Sequence, residues 1–212
     1  MWKIFLISIF SILYKPDPTP KPINLGNLLI SIPTDAADKG YPMLIMFGGS
    51  MWATPKFMWD NTPRDFFQKA ILVYSPCYTH GGGNLKKVET ELISYLQRKG
   101  ITYRGKSVCG FSGGGPDAMI AENPKNYMAL GFIDPTPVAN GTVRYSSNMI
   151  LSFRRNNWIY SDFYGKCVNF KDFNELSDRI RRAGGIVEEA DVQHEAYFRY
   201  FLDKFRKQLI GG

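Results

Sequence analysis

A serine flanked by closely spaced glycines is the first feature of this chain that could perform chemistry. Ser112 lies in the stretch Cys109-Gly110-Phe111-Ser112-Gly113-Gly114-Gly115. A serine hydroxyl attacks a carbonyl carbon when a neighbouring base removes its proton. Glycines two residues before and after the serine permit a turn so sharp that a side chain there would collide with the neighbouring chain. The pattern predicts a serine nucleophile.

Two other interpretations of this stretch are a glycine-rich turn that binds phosphate and a turn that only reverses the chain. A phosphate-binding loop would end in Gly-Lys-Ser or Gly-Lys-Thr, and this stretch does not. The nucleophile interpretation requires a strand before the serine and a helix after it. Residues 106–109 lead into the serine as a predicted strand, and Pro116 and Asp117 suit the first turn of a helix over 116–121.

The chain has two histidines, His80 and His194, that could act as the base. A neutral imidazole, with an ordinary pKa of ~6.5, can accept a hydroxyl proton at physiological pH. His194 follows the last predicted strand and precedes an amphipathic helix predicted over 195–209, so it is one candidate for the base. Its alternative role is to cap a surface helix. His80 is followed by three glycines, which favours a flexible loop near the mouth of the site.

Short apolar runs alternate with helical patterns along the body of the chain. Leu85, Val88, Leu92 and Leu96 recur at helical spacing within a helix predicted over 84–99, and a second helix is predicted over 173–183. The alternation predicts an α/β fold, with a mostly parallel sheet and helices on both faces. The predicted strands are 27–32, 43–47, 70–75, 107–110, 127–133, 149–153 and 185–189.

In this order of elements the sequence resembles the α/β-hydrolase family, as a small serine esterase or lipase without a cap domain. The resemblance covers about residues 23–210, by the order of elements more than by identity. It implies a serine hydrolase that cleaves a carboxylic ester through an acyl-enzyme, with Ser112 as nucleophile and His194 as base. It also implies an oxyanion hole formed by the backbone N–H of Gly113 and that of Gly49 or Ser50.

The acid that should orient His194 is the open question at this stage. The family usually carries it after the strand corresponding to 149–153, where this chain has Asn157 in place of an aspartate. Asp134, which Pro135 follows, resembles the segment from which some lipases supply their acid. We expect Asp134 to be the acid, with Asp162 and Asn157 as alternatives. An Asp-Pro turn without a catalytic role is the remaining interpretation.

The connection over 135–148 is too short for a helical cap, so Ser112 is expected in an open groove suited to a large, polymeric or surface-bound ester. The clusters Trp52, Phe57-Met58-Trp59 and Phe66-Phe67 predict either an apolar binding wall or core packing. Acyl transfer and amide cleavage use the same machinery. A binding or structural module with a decayed triad is the non-enzymatic alternative, supported by Asn157.

Composition limits the other classes of function. The chain has 212 residues, 44% of them hydrophobic, and a formal net charge of +7. This charge favours anionic partners, but no basic run interleaves with aromatic residues, so no specific nucleic acid partner is predicted. Cys77, Cys109 and Cys167 show no metal-binding spacing. We predict no metal and no cofactor.

The N-terminal residues form a separate region in this prediction. Residues 1–22 comprise a hydrophobic arm and a Pro-rich linker, and residues 23–212 comprise the α/β-hydrolase domain. The apolar run 4–13 after Lys3 is typical of a signal peptide, but it is short for a membrane span and no small-x-small cleavage site follows. Residues 1–14 therefore predict either a secreted or membrane-associated protein, or a packed arm on a cytoplasmic one.

Overall fold

The computed structural model describes residues 19–49, 52–77, 84–115, 118, 123–135, 144–154 and 170–211. Their strands are β1 (Ile23–Leu25), β2 (Leu28–Ser31), β3 (Tyr41–Phe47), β4 (Ile71–Ser75), β5 (Tyr103–Phe111), β6 (Leu130–Ile133), β7 (Met149–Arg154) and β8 (Ile186–Ala190). They form one sheet in the order β1-β2-β4-β3-β5-β6-β7-β8. β2 pairs antiparallel with both β1 and β4, and the other pairs are parallel.

Helices cover both faces of this sheet. They are α1 (Ala36–Lys39), α2 (Pro55–Asn61), α3 (Phe66–Lys69), α4 (Leu85–Arg98), α5 (Phe170–Arg182), α6 (His194–Lys204) and α7 (Arg206–Ile210). Alternate residues of β3 point to opposite faces, as the pleat of a strand requires. Met43 and Ile45 belong to the core shared with α4 and α5, whereas Leu44 and Met46 belong to the core shared with α2, α3, α6 and α7. The predicted α/β architecture is confirmed.

The structure differs from the sequence prediction in several elements. β1 was not predicted, because three residues are too few to show a periodicity. The predicted helix over 195–209 is two helices, since Phe205 leaves helical geometry at φ −102° and ψ 19°. The break accompanies burial of Phe201 and Leu209, one from each helix, in the same core. β6 begins at Leu130 rather than at 127, and residues 127–129, which follow the 3₁₀ turn Pro124–Asn126, are not strand. α2 and α3 were not predicted as helices.

The parallel strands bring the candidate site residues to one edge of the sheet. Phe47 pairs with Gly110, Phe111 with Ile133, and Ile133 with Ser152. The carboxyl ends of β3, β5, β6 and β7 therefore lie at the same level, and the segments that follow them are neighbours. Ligands of open α/β sheets bind outside these carboxyl ends.

The predicted N-terminal arm lies mostly outside the described residues, which start at residue 19. The secreted, membrane-associated and cytoplasmic alternatives stay predictions. Within the described residues, none of the helices has both the length and the apolar character needed to span a bilayer.

Candidate active site

Ser112 stands at a strained turn directly after β5. It begins a 3₁₀ turn, Ser112–Gly114, and its φ is +50°. A left-handed conformation costs a residue other than glycine about 1–3 kcal/mol and persists only where the surroundings enforce it. The following Gly115 and Ala118 are helical. The chain thus passes from strand to helix through the serine, which is half-buried.

The neighbouring glycines leave no room for side chains at this turn. A Cβ atom on Gly110 would lie 2.0 Å from the carbonyl oxygen of Gly114. A Cβ atom on Gly114 would lie 2.4 Å from the carbonyl oxygen of Gly48 and 2.5 Å from that of Phe47. These separations are far inside van der Waals contact. Both positions require glycine, as the sequence predicted.

The segment after β3 approaches Ser112 closely. A Cβ atom on Gly49 would lie 2.9 Å from the Cβ atom of Ser112 and 3.3 Å from the carbonyl oxygen of Phe111. Gly49 is therefore placed beside the serine, and Gly113 follows the serine within the 3₁₀ turn. Their predicted roles as oxyanion donors stay predictions. Ser50, the alternative to Gly49, lies outside the described residues.

His194 and Asp134 meet although 60 positions separate them. His194 is the first residue of α6, it is only 4% exposed, and the N-cap of this helix is Gln193. The Nδ1 atom of His194 lies 2.5 Å from Oδ2 of Asp134, whose side chain has no exposed surface. An ionised carboxylate only accepts hydrogen bonds, so we assign the proton to Nδ1. This tautomer leaves Nε2 as the atom that can accept a proton.

Asp134 also contacts Arg154, a residue that the sequence analysis missed. Nε of Arg154 donates to Oδ2 of Asp134 at 2.6 Å, and the backbone N–H of Arg154 donates to Oδ1 at 3.2 Å. Asp134 has a φ of +40°, so Asp134, like Ser112, stands in a left-handed turn. Arg154 ends β7, the strand next to β6, which Asp134 follows. This position indicates a contact with Asp134 only once the strand order is known.

Aromatic rings hold the imidazole of His194 from two sides. The Phe111 ring stacks on it with centroids 4.8 Å apart, and the Trp52 ring meets it edge-on at 5.7 Å. Phe57 packs edge-on against Trp52 at 4.7 Å. Trp52 is 37% exposed, which makes it an accessible apolar surface beside the histidine.

The remaining aromatic clusters serve mainly the core. Met58, Phe66 and Phe67 are buried between α2, α3 and the sheet, and Trp59 packs on Phe67 with centroids 4.8 Å apart. The two predicted roles of these aromatic clusters, an apolar binding wall and core packing, therefore apply to different residues. Trp52 lies beside His194, Phe57 packs against both Trp52 and the core, and the others pack in or against the core.

Several predicted site elements fall outside the described residues. These are His80, Asn157, Asp162 and residues 136–143 of the short connection. In the part of the chain that the structure describes, no group of three or more histidine, cysteine, aspartate or glutamate residues could hold a metal ion.

Comparisons with known proteins give information on the fold. No protein-family model matches the chain, and no curated protein is similar to it in sequence. Among solved structures, the chain is similar to an S-formylglutathione hydrolase from Agrobacterium tumefaciens, with a TM-score of 0.57 and 13% identity over 88% of this chain and 92% of the other. It is also similar to esterase 2 of Thermogutta terrifontis phosphorylated by paraoxon, with a TM-score of 0.52 and 14% identity over 91% and 95%.

A third similar structure is the acylaminoacyl peptidase of Pyrococcus horikoshii, with a TM-score of 0.55 and 11% identity over 97% of this chain and 44% of the peptidase. Identities this low establish shared architecture rather than shared activity. The similarity extends over nearly the whole chain, and it agrees with the strand order and with the helices on both faces of the sheet. The protein therefore has the α/β-hydrolase fold.

Proposed function

We propose that this protein is a serine hydrolase that cleaves a carboxylic ester through an acyl-enzyme. The observation that carries the proposal is the buried contact between Asp134 and His194 at the sheet edge where the strained turn presents Ser112. A nucleophile, a base and a group that orients the base are the three parts that such chemistry needs.

In the proposed reaction, Oγ of Ser112 attacks the carbonyl carbon of the ester and its proton passes to Nε2 of His194. The tetrahedral intermediate collapses when the alcohol leaves with that proton, and the acyl group stays on Ser112. Water then repeats the sequence: it gives a proton to Nε2, attacks the acyl carbon and releases the carboxylic acid, while Oγ recovers the proton.

Asp134 keeps Nδ1 protonated and stabilises the imidazolium that forms when Nε2 takes the proton. The N–H groups of Gly113 and Gly49 would donate to the oxyanion. The position of Gly49 beside Ser112 supports its share of this role. Removing one such donor typically costs about 10²–10³-fold in kcat.

The similar structures support this class of reaction without settling the substrate. Two of them are described as a hydrolase and an esterase, and the esterase is phosphorylated by paraoxon. The peptidase among them favours amide cleavage as the second candidate function. Acyl transfer would use the same acyl-enzyme with an acceptor other than water.

Two features bear on the substrate. The exposed face of Trp52, with Phe57 behind it, supports an ester that carries an apolar group next to the scissile bond. The short connection after β6 supports an open groove for a large or polymeric ester, although its residues 136–143 lie outside the described part of the chain.

The test is covalent labelling with a fluorophosphonate, followed by intact-protein mass measurement and site mapping. We expect stoichiometric labelling of wild type on Ser112 and no labelling of Ser112→Ala. Ser94→Ala, a half-buried serine of α4, is the matched control and should label like wild type. Folded wild-type protein that stays unlabelled would overturn the enzyme proposal and favour a binding module.

A further inference from the structure

Arg154 contacts the candidate acid Asp134 through both its backbone and its side chain, and we propose that it is a positioning residue for the acid–base pair. It would hold the carboxylate of Asp134 in the orientation in which Oδ2 faces Nδ1 of His194. The catalytic consequence rests on the proposed function, whereas the orientation itself can be tested without any activity.

Arg154 holds the Asp134 carboxylate by two hydrogen bonds, one to each oxygen, and we call this pair of contacts the clamp. The backbone N–H of Arg154 donates to Oδ1 of Asp134, and the Nε–H donates to Oδ2. Two donors on opposite oxygens fix the rotation of a carboxylate about its last bond, which one donor alone leaves free. Oδ2 has a second lone pair, and His194 uses it.

Burial explains why this carboxylate needs a cation. The Asp134 side chain has no exposed surface, so water does not solvate its charge. A neutral imidazole donates one hydrogen bond but brings no compensating charge. The guanidinium of Arg154 is permanently charged and 20% exposed, so it balances the buried charge while staying partly solvated itself.

The backbone at this point does not favour the required orientation by itself. Asp134 has left the paired region of β6 and has a φ of +40°, a conformation that an aspartate holds only with support. Its N–H donates to the carbonyl oxygen of Ser152 at 2.7 Å, two positions before Arg154. The end of β7 thus holds Asp134 through both its backbone and its side chain.

The proposal predicts a specific kinetic pattern. Arg154→Ala should slow proton transfer, because His194 loses a fixed partner, while substrate binding is left unchanged. A displacement of a catalytic group by about 1 Å can cost about 10²-fold in rate. We expect kcat on a p-nitrophenyl ester to fall by about 10- to 100-fold, with KM within about twofold of wild type.

Two variants separate positioning from general stabilisation. Arg154→Lys retains the charge but not the Nε–H geometry, so its kcat should lie between those of wild type and Arg154→Ala. Arg206→Ala is the matched control, because Arg206 pairs with Asp65 and lies over the Phe66 ring, within a different part of the fold. It should retain wild-type kcat. Millimolar guanidinium chloride should restore part of the activity of Arg154→Ala and none of that of Asp134→Ala.

The independent measurement is the proton resonance of Nδ1–H in protein labelled with ¹⁵N-histidine. A short hydrogen bond to a carboxylate moves such a proton far downfield, and its absence in His194→Gln assigns it. We expect the resonance in wild type and in Arg206→Ala, and its loss or upfield displacement in Arg154→Ala and Arg154→Lys. This measurement stands even if wild type has no esterase activity, which would contradict only the proposed function.

Either of two results overturns the positioning role. One is an Nδ1–H resonance that is unchanged in Arg154→Ala, whatever its kcat. The other is a fall in kcat that matches a loss of folded protein, as circular dichroism reports it, and that guanidinium does not reverse. If Arg154→Ala does not fold, Arg154→Lys decides, because wild-type kcat and a wild-type resonance in that variant contradict the clamp.

Discussion

Two strained turns lie side by side in this protein, and they are built in different ways. Ser112 follows β5 with a φ of +50°, and Asp134 follows the neighbouring β6 with a φ of +40°. In the described part of the chain these are the two non-glycine residues with positive φ. Strain of this kind concentrates at functional sites.

The turn at Ser112 is largely a local construction. Gly110 and Gly114, two residues on either side, allow the backbone to fold on itself, and the carbonyl groups of Phe47 and Gly48 close the remaining space. The turn at Asp134 is a long-range construction. Its side chain is held by Arg154, 20 positions away, and by His194, 60 positions away. A substitution in the Ser112 turn should therefore act by steric collision. A substitution at Asp134 should act by loss of its contacts with Arg154 and His194.

The largest effect among the variants that separate the two turns is expected for Asp134→Asn. Asparagine tolerates a left-handed conformation, so the turn should persist while the charge beside His194 is removed. We expect kcat to fall by about 10²- to 10⁴-fold, and the melting temperature to fall as well because the Arg154 guanidinium loses its buried partner. Ester hydrolysis and thermal unfolding measure the two quantities.

Wild-type kcat in folded Asp134→Asn would contradict the assignment of this residue to chemistry. Asp203→Asn is a control on α6, where the carboxylate makes exposed ion pairs with Arg199 and Arg206. It should leave both quantities unchanged.

A substitution of Gly114, in the Ser112 turn, should lower the stability of the fold. In Gly114→Ala the new Cβ atom would lie 2.4 Å from the Gly48 carbonyl oxygen, and backbone atoms cannot move aside cheaply. We expect the free energy of unfolding to fall by about 3 kcal/mol or more, measured by urea denaturation.

Gly100→Ala is its control, because Gly100 has a φ of +66° but no atom within 4 Å of a built Cβ. That variant should lose only about 1–2 kcal/mol, the cost of the left-handed backbone alone. Equal losses in the two variants would contradict the collision argument.

The smallest effect concerns Trp52, which touches both regions through Phe111 and His194. Trp52→Ala should leave the two turns in place and remove apolar surface beside them. We expect KM for an octanoate ester to rise by about 3- to 10-fold relative to that for an acetate ester, in line with losing one apolar contact of about 1 kcal/mol.

Ile186→Ala, at an exposed apolar position on β8, is the control and should change the KM for neither the octanoate nor the acetate ester. Equal changes for the two esters in Trp52→Ala would show that the residue does not contact the acyl chain.

The sequence alone predicted what depends on neighbouring residues. The helix Leu85–Arg98 begins at its cap Asn84 and ends before Gly100, close to the predicted bounds, because caps and periodicity act over a few positions. The requirement for glycine at 110 is also local, since a Cβ atom there would collide with Gly114, whereas glycine at 114 is required by the distant carbonyl groups of Phe47 and Gly48. β1 and the break at Phe205 were missed, because a short edge strand and a change of helix direction depend on the surfaces they pack against.

The tertiary structure decided which residues surround the imidazole. Asp134, Asn157 and Asp162 were all compatible with the sequence, and Arg154 was not considered, because a partner 20 or 60 positions away leaves no local pattern. Only the parallel register of β5, β6 and β7 brings Ser112, Asp134 and Arg154 to one edge. The sequence by itself determined the turn that carries Ser112. The packing of the sheet and α6 determined that Asp134 contacts His194 and that Arg154 contacts Asp134.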